Sequence, residues 1–195
     1  MSGRRHFLGL SISALIGGLG ALFAGPRRAR SGFLLRPPGA RPESDFLDAC
    51  VRCMRCADAC PNGCIRFHGL SEGLEKALTP YIHARSRGCI VCGKCAEACP
   101  TGALKPFETS PEGLLAGVKM GTARLNKSLC FSYNGRTCGA CYRACPLPGT
   151  AMKIGLYEKP LLQEADQCIG CGLCEQACLH LPQAIRVVPV SETVG

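Results

Sequence analysis

The 195-residue chain has no tryptophan, 6% aromatic residues, 24 glycines and 14 prolines, so it has room for one domain or two small ones but little bulk for an ordinary apolar core. Its formal charge of +9 does not mark a nucleic-acid partner: five of the 23 basic residues, Arg4, Arg5, Arg27, Arg28 and Arg30, flank an N-terminal apolar stretch, and no alternation of aromatic and basic residues offers a stacking platform. A loop-rich chain of this kind needs inorganic staples to offset its conformational entropy.

In chain order, Ser2 to Gly9 carry an arginine pair followed, after one residue, by Phe7-Leu8, and an uncharged run continues to Ala24. This pattern resembles a twin-arginine export signal, a route that carries proteins already folded. Residues 1–30 are therefore expected to be that signal or an uncleaved anchor helix, since the 18 residues from Phe7 to Ala24 approach a bilayer span and no small-x-small cleavage site is clear. Residues 31–43, rich in Pro, Gly and Arg, read as a tether, and residues 44–190 as the folded domain. Within that domain a helix is expected from the cap Ser44, another over Ser71 to Leu78, and a third at Ser110-Pro111-Glu112, with serine as cap and proline at the first helical position.

Sixteen of the 17 cysteines fall into four copies of one spacing. They are Cys50, Cys53, Cys56 and Cys60; Cys89, Cys92, Cys95 and Cys99; Cys130, Cys138, Cys141 and Cys145; and Cys168, Cys171, Cys174 and Cys178. Three cysteines at three-residue intervals let one loop wrap three corners of an iron–sulfur cubane, and the fourth, followed by proline, serves the other cluster of a pair. All sixteen are expected as ligands of four 4Fe-4S clusters. With about −2 for each oxidised cluster and its thiolates, the net charge falls from +9 to about +1. Each copy is followed by a turn and a short strand, so the repeating unit is cluster loop, turn and strand. The fold expected is α+β, with two bacterial-ferredoxin-like units. Intervals of 28, 30 and 22 residues between successive copies permit neighbours to pair, or the second and third to nest inside the first and fourth; nesting is the weakly preferred expectation, by analogy with iron–sulfur subunits of molybdenum oxidoreductases.

The copies are unequal. The third has seven residues, Phe131 to Thr137, where the others have two, and Asn134-Gly135 suits a looped-out turn; release of Cys130 and a three-iron cluster is the alternative. The fourth has Leu179 in place of proline, a change expected to alter packing rather than occupancy. Cys64, the odd cysteine, falls where the second copy has Ala103 and reads as a small buried residue outside the ligand set. His68, His83 and His180 lie off the motif and read as surface or supporting groups, and Arg52, Arg55, Lys94, Tyr142 and Arg143 as a solvated face of the cluster loops. Disulfides explain neither the triple spacing nor its recurrence, and zinc sites use separated pairs rather than one run of three.

The arginine leader, the segment Leu34-Leu35-Arg36-Pro37-Pro38-Gly39-Ala40, and an expanded third copy bearing Cys141-Tyr142-Arg143-Ala144-Cys145-Pro146 together resemble the NapG/MauM type of ferredoxin-type polyferredoxin. The resemblance implies an electron carrier rather than an enzyme. It would work in the periplasm, associated with the membrane, between a polytopic membrane ferredoxin-type partner that oxidises quinol and a periplasmic reductase or dehydrogenase or its cytochrome. An iron–sulfur subunit of a molybdenum oxidoreductase and an assembly or docking factor are the alternatives. No phosphate loop, nucleophile motif or separate catalytic metal site stands in the sequence.

Overall fold

In the computed structural model, which describes residues 34–190, the chain is already folded at Leu34. Leu34–Leu35 (β1) pairs antiparallel with Pro80–His83 (β3), which also pairs with Ile65–Phe67 (β2), giving the order β1-β3-β2. Beyond β1, Pro37 and Pro38 are fully buried and Ala40 bridges Leu104. Gly39 has φ +77°, and a Cβ there would lie 2.1 Å from the Lys105 carbonyl oxygen, so this close approach requires glycine. The tether expected over 31–43 is thus corrected across its described part: residues 34–43 are a strap built into the domain. Proline rings are apolar, and where no N–H is needed they bury without cost to a hydrogen-bond ladder. The expected signal or anchor lies outside the described residues.

Glu43–Ala49 forms the first helix (α1), two residues earlier than expected, with Pro42 rather than Ser44 at its cap position; no side chain caps it. Arg36 fixes it instead. Its guanidinium grips both Glu43 carboxylate oxygens at 2.8 and 2.6 Å, donates to the Thr79 hydroxyl and Pro80 carbonyl at 2.9 and 2.8 Å, and lies 4.7 Å over the ring of fully buried Phe46. The helix expected over Ser71 to Leu78 shrinks to a 3-10 turn at Leu70–Glu72, because Gly73 at φ +107° takes the chain out of helical geometry. Four-residue helices follow the second cysteine of the first two copies: Arg55–Asp58 (α2) and Lys94–Glu97 (α3). Pro111–Gly117 (α4) forms as expected, Ser110 accepting from the Gly113 N–H at 3.1 Å.

The second half repeats the plan of the first. Gly121–Leu125 (β4) pairs antiparallel with Ile185–Pro189 (β7), with Ala123 opposite Val187. Between them stand Ala140–Arg143 (α5), the hairpin of Met152–Ile154 (β5) with Pro160–Leu162 (β6), and Leu173–Gln176 (α6). In the first half the β2–β3 hairpin occupies the same place between two cysteine copies, and the Ala40–Leu104 bridge does the work of β4–β7. The turn-and-strand reading therefore holds for the first, third and fourth copies, while the second yields only that bridge. Leu35, Phe46, Ile82, Leu104, Met152 and Ile185 are at most 2% exposed, and the cysteines pack among them, so the apolar core is arranged around sulfur.

Candidate iron–sulfur sites

The three-residue spacing folds into the same loop each time. After the second cysteine, Met54, Gly93, Gly139 and Gly172 take φ of 64°, 78°, 59° and 81°, and each opens the short helix that carries the third cysteine. In three copies the residue before the second cysteine is left-handed as well: Arg52 at 57°, Val91 at 50° and Gly170 at 74°. Such turns curl the backbone round a centre. Holding arginine, methionine and a β-branched valine there costs about 1–2 kcal/mol each, strain of the kind kept at functional sites. One consequence is visible at the second copy, where the Val91 N–H points back at Cys89 Sγ at 3.3 Å.

These loops gather all sixteen expected cysteines into four quartets, each lining one cavity. Cys50, Cys53 and Cys56 are joined by Cys99; Cys89, Cys92 and Cys95 by Cys60; Cys130, Cys138 and Cys141 by Cys178; and Cys168, Cys171 and Cys174 by Cys145. Each fourth cysteine thus crosses to its neighbour's cavity, and the copies pair one with two and three with four. The nested expectation is corrected. The β2–β3 and β5–β6 hairpins each turn the chain straight back onto the preceding copy, so the adjacent partner arrives first. The space round the first to fourth quartets, including its opening to solvent, is about 370, 290, 350 and 380 Å³. None of the cysteines is in a disulfide, and no group of three or more His, Cys, Asp or Glu among the described residues closes on a point that would hold a single ion. The sulfurs stand round a space instead.

The donor set fits a multi-iron cluster. Burial pushes the thiols of Cys56 and Cys141 up to about 11 and those of Cys95 and Cys171 to about 12, because a lone thiolate is poorly solvated there; the same cause raises Cys174 well above the ordinary thiol range. Thiolates at these positions need compensating positive charge, which iron supplies. At Cys99 burial also pushes upward, but the N–H groups of Leu104, Thr101 and Ala103 and the Thr101 hydroxyl outweigh it and the thiol is lowered. A second sign is Ser132, 2% exposed at the wall of the third cavity, whose hydroxyl has no hydrogen-bond partner among the described residues. A buried hydroxyl left so costs about 1–3 kcal/mol, and a cluster or thiolate sulfur in that cavity would accept from it.

The departures now have places. Cys130 lines the third cavity despite its seven-residue separation from Cys138; the insertion makes a 3-10 turn at Phe131–Tyr133, and Asn134 Nδ2 ties it back to the Cys130 carbonyl at 2.8 Å. Leu179, 69% exposed, stands in the cavity wall where proline stands at the first and fourth cavities. Cys64 is buried as expected, yet it shares the second cavity: its sulfur is 3.6 Å from that of Cys60, and its contact with Cys89 leaves one proton between two sulfurs, lowering Cys64 and raising Cys89. His68 is also buried, paired with Glu72 and stacked near Tyr81, away from the quartets; His83 bonds Ser86 and His180 the Pro182 carbonyl. Arg52 departs from the solvated-face reading, since it donates to the Ala77 and Glu75 carbonyls and pins the first loop to the turn after β2. Ser132 was not singled out by spacing; its position inside the insertion was its only signal.

Paired short cluster loops with exchanged fourth cysteines, each pair joined through a β-hairpin, define a ferredoxin of the dicluster class. The family described as 4Fe-4S dicluster domain matches residues 49–103 and again 88–148, and a 4Fe-4S binding domain matches 165–179. The second of these matches spans the second and third copies, whose spacing also satisfies the pattern; the cavities show that these two do not exchange cysteines. The chain is 36% identical to the ferredoxin-type protein NapG of Escherichia coli over 100% of its own length and 89% of the relative's. It is 36% identical to the methylamine utilization ferredoxin-type protein MauM of Methylophilus methylotrophus over 95% and 84%, and 40% identical to MauM of Methylorubrum extorquens over 80% and 72%. The chain belongs to the NapG/MauM family of ferredoxin-type proteins, and is an iron–sulfur electron-transfer protein. No helix among the described residues is long and apolar enough to cross a membrane.

Proposed function

We propose that this chain is an exported carrier of four 4Fe-4S clusters that passes electrons from a quinol-oxidising membrane partner to a periplasmic redox enzyme, and is not itself an enzyme. The observation that carries the reading is the exchange of the fourth cysteine within each pair of copies, which gives every cavity four motif sulfurs from two loops, with Cys64 beside the second. When bound, such clusters supply one-electron transfer without bond making. The sixteen cysteines would hold them, with Cys64 left outside the ligand set. The left-handed turns aim the loops inward, the buried walls exclude water, and Ser132 and the Val91 N–H bias the sulfurs toward the reduced state. Export by the twin-arginine route and retention at the membrane by an N-terminal helix complete the proposal, on the strength of the Arg4-Arg5 leader and the apolar run after it.

Iron and acid-labile sulfide on anaerobically purified full chain should give about 16 of each, the content of four cubanes. Zinc in place of iron overturns the cluster assignment. In membranes reconstituted with the partner, quinol analogues should reduce the clusters; clusters that stay oxidised while the partner enzyme turns over overturn the carrier role and leave an assembly function.

A further inference from the structure

The contacts between the two halves decide which cavities are neighbours. The Cys89 N–H donates to the Cys171 carbonyl at 2.7 Å, and these residues belong to the second and fourth quartets. Around that bond the loop 84–89 is docked on the fourth copy. The Gly88 N–H donates to Gln176 Oε1 at 2.8 Å, and Arg85 donates to the carbonyls of Glu175, Gln176 and Cys178 at 3.1, 3.2 and 2.9 Å. The backbones meet with no space for a side chain: a Cβ on Gly88 would lie 2.7 Å from the Leu173 nitrogen and 2.8 Å from the Gly172 carbonyl carbon, and one on Gly172 would lie 2.5 Å from Ala84 Cβ. Two ligand residues on opposite halves are therefore joined by one hydrogen bond at a glycine-lined seam.

Within each half the quartets are joined by short stretches of chain. Cys56 and Cys60 serve different cavities and are four residues apart on a helical turn, a rise of about 6 Å. Cys141 with Cys145, and Cys174 with Cys178, repeat this. The third quartet meets the first half through a long side chain, that of Arg85 at the Cys178 carbonyl.

We propose that electrons cross the molecule in the order first, second, fourth, third quartet, with the Cys89–Cys171 hydrogen bond as the crossing between halves. The order rests on the four-cluster reading above. Each crossing moves one electron, oxidising the donor site and reducing the acceptor, with no bond or proton transferred; the first electron comes from quinol or, in the test, from dithionite. The ends of the path are the first quartet, which holds the exposed Cys53 between exposed Val51 and Met54, and the third, bordered by exposed Leu179 and close in sequence to exposed Leu181.

The test uses full-length loaded protein, dithionite reduction and EPR read for magnetic coupling between reduced clusters, with iron and sulfide counted in parallel. Gly88 is not left-handed, so Gly88→Ala is compatible with its own φ, and its Cβ would push the facing backbone of Leu173 and Gly172 away. The expected result is loss of coupling between the halves, with iron content and coupling within each half unchanged. Gln176→Ala adds no atoms and loosens the same seam by removing the Gly88 acceptor, so it gives the same readout if Gly88→Ala fails to fold. Absence of coupling between the halves in the loaded wild-type chain overturns the order. A wild-type chain holding fewer than about 16 irons overturns the underlying four-cluster reading, and that is seen before any variant is made.

Discussion

At the scale of single residues, Ser132 is the group whose chemistry is most exposed to test. Its hydroxyl is buried at the third cavity with no partner among the described residues. Hydrogen bonds to cluster sulfurs stabilise the more negative, reduced state and so raise the potential. Ser132→Ala is therefore expected to lower the midpoint potential of one cluster and leave the others where they are, with iron content unchanged, in a redox titration followed by EPR. Ser132→Thr keeps the hydroxyl and should restore most of the shift. Unchanged potentials in Ser132→Ala would remove the hydroxyl from the cluster's surroundings. Cys64 makes the opposite point: its equivalence to Ala103 correctly indicated a small buried residue, but spacing could not show that it shares a cavity with Cys60 and Cys89, because that contact depends on the turn after Cys60.

Among the elements, the strap over 34–43 was the least legible. Its prolines and glycine have the composition of a linker, and only the partners of Arg36, contributed by α1 and β3, turn it into structure. The Arg36 guanidinium beside Glu43 holds that carboxyl below the ordinary range, by hydrogen bonding first and against the opposing effect of burial. A depressed folded value means that the contribution is complete above the unfolded carboxylate pKa and is lost as pH falls through the lower folded one. Glu43 is 38% exposed at its side chain, so solvent screening keeps the pair to about 1 kcal/mol or less despite its forked geometry. Glu43→Gln should be less stable than the wild type by that amount at neutral pH, and the gap should close as pH drops below the carboxylate range. Denaturant midpoints of loaded protein at a series of pH values measure it; a gap independent of pH would mean that packing of α1, not charge, holds the strap. The helix at Ser110 was legible from its cap and proline alone, since both signals are local. The helix expected over Ser71 to Leu78 failed for the same reason inverted, as Gly73 takes a conformation that no propensity in its neighbours overrides.

For the whole molecule, ligand identity was legible and pairing was not. Spacing within a copy is a local property, whereas the choice between nested and sequential exchange is made by the β2–β3 and β5–β6 hairpins, whose short strands carry little signal. The result is a chain whose core is divided among four cavities, each bounded by cysteines that pack with Phe46, Ile82, Met152 and Ile185. A small domain has only about 5–15 kcal/mol of net stability, and without iron the half-buried and buried sulfurs of each quartet lose what holds their two loops together. Iron removal by chelation under reducing conditions is therefore expected to unfold the domain rather than leave an apo-form. The first irons should come from the first quartet, which contains the exposed Cys53 and no buried cysteine, while each other quartet has two buried ones. Near-UV circular dichroism and amide dispersion, followed against iron content, would show tertiary structure persisting through the loss of about four irons, the content of one cubane, and collapsing as further clusters leave. An iron-free chain that kept native dispersion would show that the strands and Arg36 strap hold the fold without the clusters.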